Sequence, residues 1–382
     1  MNIGFEAKRF FKNYTGLGNY NRFVVEALSR FFPEHHYFLY TPVQVRHPEP
    51  DAITSRHHVK VVTPHSFYSY LKLGSLWRTL GISSHSVTKS LNIFHGLSQE
   101  LPFNLPFPVK KVVTVHDLIF FRYPEFYNPI DVAIYKRKVK SACERADKII
   151  AISRQTADDL NEFLGVDDSR IEIVYQGSHP IFTKEVPADE LKQVKQKYHL
   201  PDRYILSVGT IESRKNLELL VRAIAPLPLE VSIPLVVVGR PTKYLEKVRA
   251  IARDLKVLHR VVFVHQASFQ DFPAIYQGAR VFVYPSLFEG FGIPLIEAIK
   301  CRVPVITSTG SCFSEAAGPD ARYVDPQNPQ ELTRELERVL TDENLRTEMI
   351  AKSSEYIKKF EPEAIAKELF KVYSSLGQGT DA

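Results

Sequence analysis

The chain is short of cysteine, methionine and tryptophan, holding three, two and one of them among 382 residues. Cys143, Cys301 and Cys312 are odd in number and scattered. That pattern speaks against a disulfide framework or a zinc site and suits a reducing compartment. Long apolar runs are also missing: the stretch around Val236–Gly239 with its flanks falls far short of the roughly 18 residues that a spanning helix needs. The opening MNIGFEAKRF passes from a short apolar segment straight into charge, without the h-region of a secretory signal. No D-x-D triplet occurs anywhere. Charge is nearly balanced, 49 Lys and Arg against 43 Asp and Glu, for a formal +6. Such an excess admits nucleic acid, an anionic membrane face or phosphorylated small molecules. No segment resembles a nucleic-acid module, so nucleic acid is set aside. The expectation is a soluble cytoplasmic protein, resting at most on the inner face of the cytoplasmic membrane.

What is present is ordinary globular composition, 44% hydrophobic and 24% charged, in a length suited to two α/β domains. Apolar runs at Ile3–Phe5, Tyr37–Tyr40, Val59–Val62, Asn92–His95, Val112–His116, Lys148–Ile152 and Ile171–Tyr175 read as strands. Amphipathic helical patterns fall between them, notably Tyr20–Phe32, Pro129–Ala146 and Arg154–Leu164. Runs such as VVTV and IIAI are apolar at consecutive positions, which suits parallel strands covered on both faces. A polar, proline-punctuated stretch around Gly177–Pro187 interrupts the rhythm. It restarts at Tyr204–Val208, Leu235–Val238, Val261–Val264, Val281–Tyr284 and Val303–Thr307. Final helices are expected at Glu331–Leu340, Glu343–Lys359 and Glu363–Leu376. This reads as two doubly wound domains, 1–178 and 184–360, with a C-terminal helix and tail, 361–382, packing back on the first.

Four segments carry chemistry. In Tyr284-Pro-Ser-Leu-Phe-Glu289-Gly290-Phe291-Gly292-Ile293-Pro294-Leu-Ile-Glu297-Ala298 a buried strand turns through two glycines into a helix with Pro294 in its first turn. Backbone amides at that helix start, beside glycines that allow close approach, suit an anion. The spaced carboxylates of Glu289 and Glu297 can each accept paired hydrogen bonds from vicinal sugar hydroxyls. A second segment, Gly209-Thr-Ile-Glu-Ser-Arg214-Lys215-Asn216, delivers two cations after a strand, suited to a diphosphate leaving group. The third, Val113-Thr-Val-His116-Asp117, ends a buried strand in a histidine. The fourth, Asn13-Tyr-Thr-Gly16-Leu-Gly18-Asn-Tyr20, follows the first strand. Its dinucleotide fingerprint is incomplete, with no third glycine and no acid closing the second strand near Tyr40, which weakens a dehydrogenase reading.

The wording S-x-x-E-G-F-G-x-P-x-x-E-A, with Glu289 and Glu297 in the E-x7-E arrangement, resembles the signature of family 4 retaining glycosyltransferases. The other three segments match in order, and the resemblance extends over nearly the whole chain. It implies the GT-B fold, two Rossmann-like α/β domains facing a central cleft. It implies contact of Glu289 with the transferred sugar, of Glu297 with the nucleotide ribose, and of Arg214 and Lys215 with the diphosphate. His116 would position the donor, with Asp117 orienting its ring. The catalytic set is then His116, Glu289, Arg214 and Lys215. Donor binding falls to Gly16, Gly18, Gly209, Gly290, Phe291, Gly292, Ile293 and Glu297, with Val264 and His265 near the nucleobase. Thr210 departs from the pattern, since many relatives place an Arg directly after the glycine.

The implied reaction moves a hexose from a nucleotide-diphosphate sugar to a saccharide or lipid-linked saccharide acceptor with retention. Bacterial mannosyl- and glucosyltransferases of surface polysaccharide synthesis are most similar in wording, so mannose from GDP-mannose is the first expectation. The other major glycosyltransferase fold holds a divalent metal on the diphosphate with a D-x-D triplet; here Arg214, Lys215 and the helix start near Gly292 would do the same electrostatic work, so neither a cofactor nor a metal is expected. The acceptor is expected on the N-terminal domain. Basic and aromatic surface there, Lys136–Lys140 with Tyr135 and Lys8–Lys12 with two phenylalanines, would meet an anionic membrane. Two other readings stay open: a non-catalytic sugar-nucleotide-binding subunit, or another GT-B enzyme such as an epimerase or phosphorylase.

Overall fold

Short runs of Val, Ile, Leu and Phe can bury both faces only in a parallel sheet with helices on either side, and the chain builds two such sheets. The structure, a computed structural model, describes residues 1–42, 48–64 and 73–377. The chain divides into two compact units, Met1–Gly177 with the segment from Phe360 onward, and Ser178–Lys359. The second unit begins ahead of the expected position 184 because Phe182 is buried within it, edge-on to Tyr276 at 5.7 Å.

In the first unit β1 (Asn2–Glu6), β2 (His36–Tyr40), β3 (Val59–Val62), β4 (Ile93–Gly96), β5 (Lys110–Val115), β6 (Lys148–Ala151) and β7 (Ile171–Ile173) form one sheet, ordered β3-β2-β1-β4-β5-β6-β7. All its pairings are parallel. The direction of winding reverses between β1 and β4, and such a switch point opens a ligand crevice at the carboxyl ends of the strands. The helix Pro362–Gly377 packs onto this unit, with Phe370 stacked on Phe32 at 4.3 Å and Tyr373 fully buried.

In the second unit β8 (Ile205–Val208), β9 (Leu235–Val238), β10 (Val261–Val264), β11 (Val281–Tyr284), β12 (Val305–Ser308) and β13 (Arg322–Val324) are ordered β10-β9-β8-β11-β12-β13, again all parallel. Its switch point lies between β8 and β11. β13 was not expected from the sequence: it is three residues long, on the sheet edge and half-buried at Arg322 and Tyr323, so it has no apolar run to announce it.

Two further expectations change. The helix at the first glycine segment starts at Gly16, not Tyr20, so Gly16 and Gly18 lie in its first turn rather than in a loop. A Cβ on Gly18 would sit 1.7 Å from the Asn13 carbonyl oxygen, which explains why this turn takes a glycine. Phe10 and Phe11 are fully buried, so the Lys8–Lys12 segment offers no aromatic surface. Its amphipathic helix turns the two rings into the core.

Candidate active site

The carboxyl ends of β8 and β11 bring the two strongest sequence segments together at the second unit's switch point. After β8 the chain passes Gly209, at φ +148°, and a short turn at Ser213–Lys215 before the helix Leu217–Ile224. Asn216 takes the left-handed conformation (φ +55°) and ties the turn to the Pro326 carbonyl at 2.8 Å. After β11 the chain runs through Glu289 and enters the helix Ile293–Lys300 at Gly292, φ +107°. The two loops are joined by backbone: Leu287 N–H donates to the Arg214 carbonyl at 2.8 Å. Gly239, at the end of β9, packs so tightly behind Gly209 that a Cβ on it would lie 1.8 Å from the Gly209 carbonyl oxygen.

Within this frame Lys215 Nζ donates to Glu289 Oε1 and to the Tyr284 hydroxyl, both at 2.6 Å. Arg214 Nη1 pairs with Glu289 Oε2 at 2.6 Å and donates to the Phe288 carbonyl at 2.7 Å. Arg214 Nη2 donates to Glu212 Oε1 at 2.7 Å. Ser311 Oγ accepts from the Glu289 backbone N–H at 3.2 Å. Burial works to raise the Glu289 carboxyl, but the Lys215 and Arg214 charges outweigh it and hold it at about 2. Lys215 is pushed below its ordinary value by burial, which Glu289 offsets only in part. Arg214 moves the other way: burial lowers it, and its pairing with Glu289 raises it further. The cluster is a fixed pair of cations braced by one buried carboxylate. Beside it, a shallow recess open to solvent is lined by Gly209, Thr210, Lys215, Val237 and Tyr284 among others.

Glu297 lies apart from this cluster, on the helix after Gly292. Its Oε2 accepts from the Tyr276 hydroxyl at 2.9 Å. Burial pushes its carboxyl up to about 7, against the smaller opposing influence of the Tyr276 bond and Lys300. Gly290, Phe291 and Ile293 complete the connecting loop; Phe291 is buried, and its carbonyl accepts from the Cys312 thiol at 2.9 Å. Val264 and His265 close β10 at the sheet edge, where His265 Nδ1 lies 3.4 Å from the Gly239 carbonyl.

His116 belongs to the first unit, directly after β5. It is 6% exposed, and burial lowers its pKa to about 4, so the ring is neutral at physiological pH. Nε2 lies 2.8 Å from the Leu97 carbonyl, an acceptor only, so Nε2 carries the proton and Nδ1 is left as an acceptor. The Tyr20 ring meets the imidazole edge-on at 4.6 Å. The Leu97 carbonyl and the Tyr20 ring thus orient the imidazole, and the Asp117 carboxylate accepts from the Ile119 backbone N–H at 3.2 Å.

The sequence reading missed Tyr284, Tyr276, Glu212 and Gly239. Tyr284 stands at the end of a buried strand next to the motif and could have been suspected there. Tyr276 is 21 residues from Glu297 on a separate helix, and no local pattern connects them. Among the described residues no three His, Cys, Asp or Glu side chains gather as a metal site, and no helix is long and apolar enough to cross a membrane.

Two doubly wound units, one of them presenting a cation pair and two spaced glutamates at its switch point, define the GT-B class. Residues 14–180 match the family described as Glycosyltransferase Family 4, and residues 189–356 match Glycosyl transferases group 1. The chain belongs to the family 4 glycosyltransferases. It is 31% identical over 280 residues to the serotype-specific mannosyltransferase WbdA of Escherichia coli, a match covering 71% of this chain and 34% of that protein. The chain thus spans about a third of the length of that relative. It is 27% identical over 287 residues to the O-antigen chain mannosyltransferase B of Escherichia coli, covering 74% of each. Among solved structures, sucrose-phosphate synthase from Thermosynechococcus elongatus superposes with a TM-score of 0.74 at 20% identity over the full length of both chains, a likeness of fold.

Proposed function

We propose that the protein transfers a hexose, mannose from GDP-mannose first, from a nucleotide-diphosphate sugar to a saccharide or lipid-linked saccharide acceptor, with retention and without a metal. The observation that carries this is the Arg214–Glu289–Lys215 cluster at the switch point. Two cations are braced there before any ligand arrives, as electrostatic stabilisation of a leaving group requires. Arg214 and Lys215 would hold the diphosphate, and Glu297 would accept from the ribose hydroxyls. Glu289 would face the transferred sugar, and the neutral His116 would offer Nδ1 to a sugar hydroxyl. In a front-face transfer the bond from the anomeric carbon to the phosphate oxygen breaks as the bond to the acceptor oxygen forms. The acceptor proton passes to the departing phosphate, so no protein nucleophile is needed. Both curated relatives above carry mannosyltransferase names, which supports mannose as the sugar.

The test is thermal unfolding of the purified protein against GDP-, UDP- and ADP-sugars, with Glu297→Ala alongside. A stabilising shift with one base, reduced in the variant, identifies the donor and supports the ribose contact. A shift of equal size in Glu297→Ala removes that contact, and turnover abolished by EDTA would overturn the metal-free reading.

A further inference from the structure

Behind His116 the first unit holds a chain of buried polar side chains drawn from four elements. Tyr373, on the helix Pro362–Gly377, places its hydroxyl 2.6 Å from His95 Nδ1 on β4. His95 Nε2 lies 2.8 Å from Thr114 Oγ1 on β5. Thr114 Oγ1 lies 3.0 Å from the hydroxyl of Tyr20, on the helix Gly16–Phe31. The Tyr20 ring then packs edge-on against His116 at 4.6 Å and 89°. His95, Thr114 and Tyr373 have no exposed surface and Tyr20 has 4%.

The chemistry of this chain is restrictive. Burial, with a smaller contribution from His116, lowers the His95 pKa to about 3, so its ring is neutral, with one donor nitrogen and one acceptor nitrogen. The ring therefore donates on one side and accepts on the other, so its links to Tyr373 and Thr114 reverse only together, and the Thr114 oxygen ties the Tyr20 hydroxyl to them. Each member is also a buried polar group that is costly to leave unpaired. Losing the Tyr373 hydroxyl therefore orphans His95 Nδ1 and frees the neighbouring hydroxyls to seek other partners. Tyr20 is the last member, and among the described residues its ring and the Leu97 carbonyl fix the His116 plane. The distal end is firmly seated: Phe370 stacks on Phe32 at 4.3 Å and on His35 at 4.9 Å, and Ile365, Leu369 and Val372 are buried.

We infer that Tyr373 is a positioning residue for His116, acting through His95, Thr114 and Tyr20 to hold the ring plane in which Nε2–H meets the Leu97 carbonyl and Nδ1 is left as an acceptor. The chain's last described helix is thereby part of the apparatus that orients a site residue 257 positions earlier in sequence. The inference rests on the reading of His116 as a sugar-contacting residue.

The experiment uses the full-length protein as wild type, Tyr373→Phe, His116→Ala and the double variant, with Thr114→Val as a second way to cut the chain should Tyr373→Phe not fold. Nitrogen-15 NMR of the imidazoles reads the tautomer of His116 without any ligand. Turnover is measured on whichever of GDP-mannose, UDP-glucose and ADP-glucose the wild type consumes. Tyr373→Phe should move the His116 signals from a single Nε2–H pattern to a mixture of tautomers. Turnover should fall about tenfold, inside the roughly hundredfold that a small displacement of a site group can cost. In the His116→Ala background Tyr373→Phe should cost nothing further. Unchanged His116 signals in both Tyr373→Phe and Thr114→Val would overturn the inference, as would a Tyr373→Phe loss that persists in full without His116. Full turnover by His116→Ala, with its signals still responsive to Tyr373→Phe in the parent, would instead overturn the reading of His116 and with it any role of Tyr373 in transfer.

Discussion

Glu289 Oε1 and Lys215 Nζ stand 2.6 Å apart, joined across 74 residues of chain and two strands of the sheet. The other Glu289 oxygen is taken by Arg214. One carboxylate thus holds both cations proposed to bind the diphosphate, and on that reading a bound donor would share those cations with Glu289 or displace it. Glu289→Gln removes the competing charge while keeping the shape. Turnover should fall by roughly 10² to 10³, the usual loss for a preorganised electrostatic group. Free nucleoside diphosphate, which makes no use of the sugar contact, should bind at least as tightly as to the wild type. Calorimetric titration with the diphosphate alone checks this; a tenfold weaker binding would mean that Glu289 is needed to order the cations.

The same cluster sets a stability expectation. Glu289→Ala leaves two half-buried cations side by side without their shared carboxylate, and breaking a buried ion pair from one side costs about 3 kcal/mol. Glu289→Gln should cost less, because its amide oxygen still accepts from Lys215. Denaturant unfolding at neutral pH separates the two variants, and equal costs would show that packing, not charge, dominates there.

Glu297 should impose a pH dependence on donor binding. Its carboxyl is raised to about 7, and the ionised form is the better acceptor for two ribose hydroxyls. Binding therefore favours loss of the proton, and affinity should rise as pH increases from 6 to 8 and level off above the titration, within about a unit of 7. Glu289, held at about 2, and His116, lowered to about 4, do not titrate in that window. A nucleotide sugar is the right probe, since its diphosphate, esterified at both ends, has no ionisation near 7. Titrations at several pH values on wild type and Glu297→Gln should show the slope only in the wild type.

Much of this was legible beforehand because period and punctuation carry it. Every strand of the first unit announced itself as an apolar run, and Gly292 with Pro294 marked the helix entry correctly. What failed was contact at a distance. Nothing in the local pattern says that Phe10 and Phe11 turn inward, that Glu289 reaches back to Lys215, or that Tyr276 caps Glu297. Gly239 is the clearest case: by sequence it is one more strand-ending glycine, and its reason is the Gly209 carbonyl on the neighbouring strand.

Gly239→Ala should therefore injure the diphosphate site from behind. Its Cβ would meet the Gly209 carbonyl at 1.8 Å, and both groups are backbone, so neither can rotate away. Overpacking of this kind costs about 1–3 kcal/mol. Because Gly209 lines the same recess as Lys215 and Tyr284, its displacement should also weaken nucleotide binding. Thermal unfolding with and without nucleotide measures both effects; loss of stability with ligand binding intact would uncouple Gly239 from the site.

The first unit should also meet an anionic bilayer, by the Lys136–Lys140 surface that the sequence suggested, widened by apolar neighbours, and without the Lys8–Lys12 segment, whose rings are buried. Ile130, Ile134 and Tyr135 are 71%, 45% and 42% exposed on the helix Pro129–Arg145, which also carries the exposed Arg137, Lys138 and Lys140. The neighbouring loop adds Phe103, 51% exposed beneath Arg145 at 4.3 Å, and Phe107, 97% exposed. Leu76 and Leu80 lie close by, since the Phe103 N–H donates to the Thr79 carbonyl at 2.9 Å. Solvent gives such side chains no return, whereas a bilayer interface takes the rings and aliphatic groups while its phosphates face the cations. Each basic residue near an anionic surface contributes about 1 kcal/mol, so Arg137→Glu with Lys140→Glu should lower vesicle binding by at least roughly thirtyfold at low salt. Phe103→Ser with Phe107→Ser should weaken the part that survives high salt, because apolar insertion is not screened. Co-sedimentation with phosphatidylserine vesicles at two salt concentrations resolves both contributions, and a wild-type protein that stays in the supernatant at low salt would remove the membrane from this surface altogether.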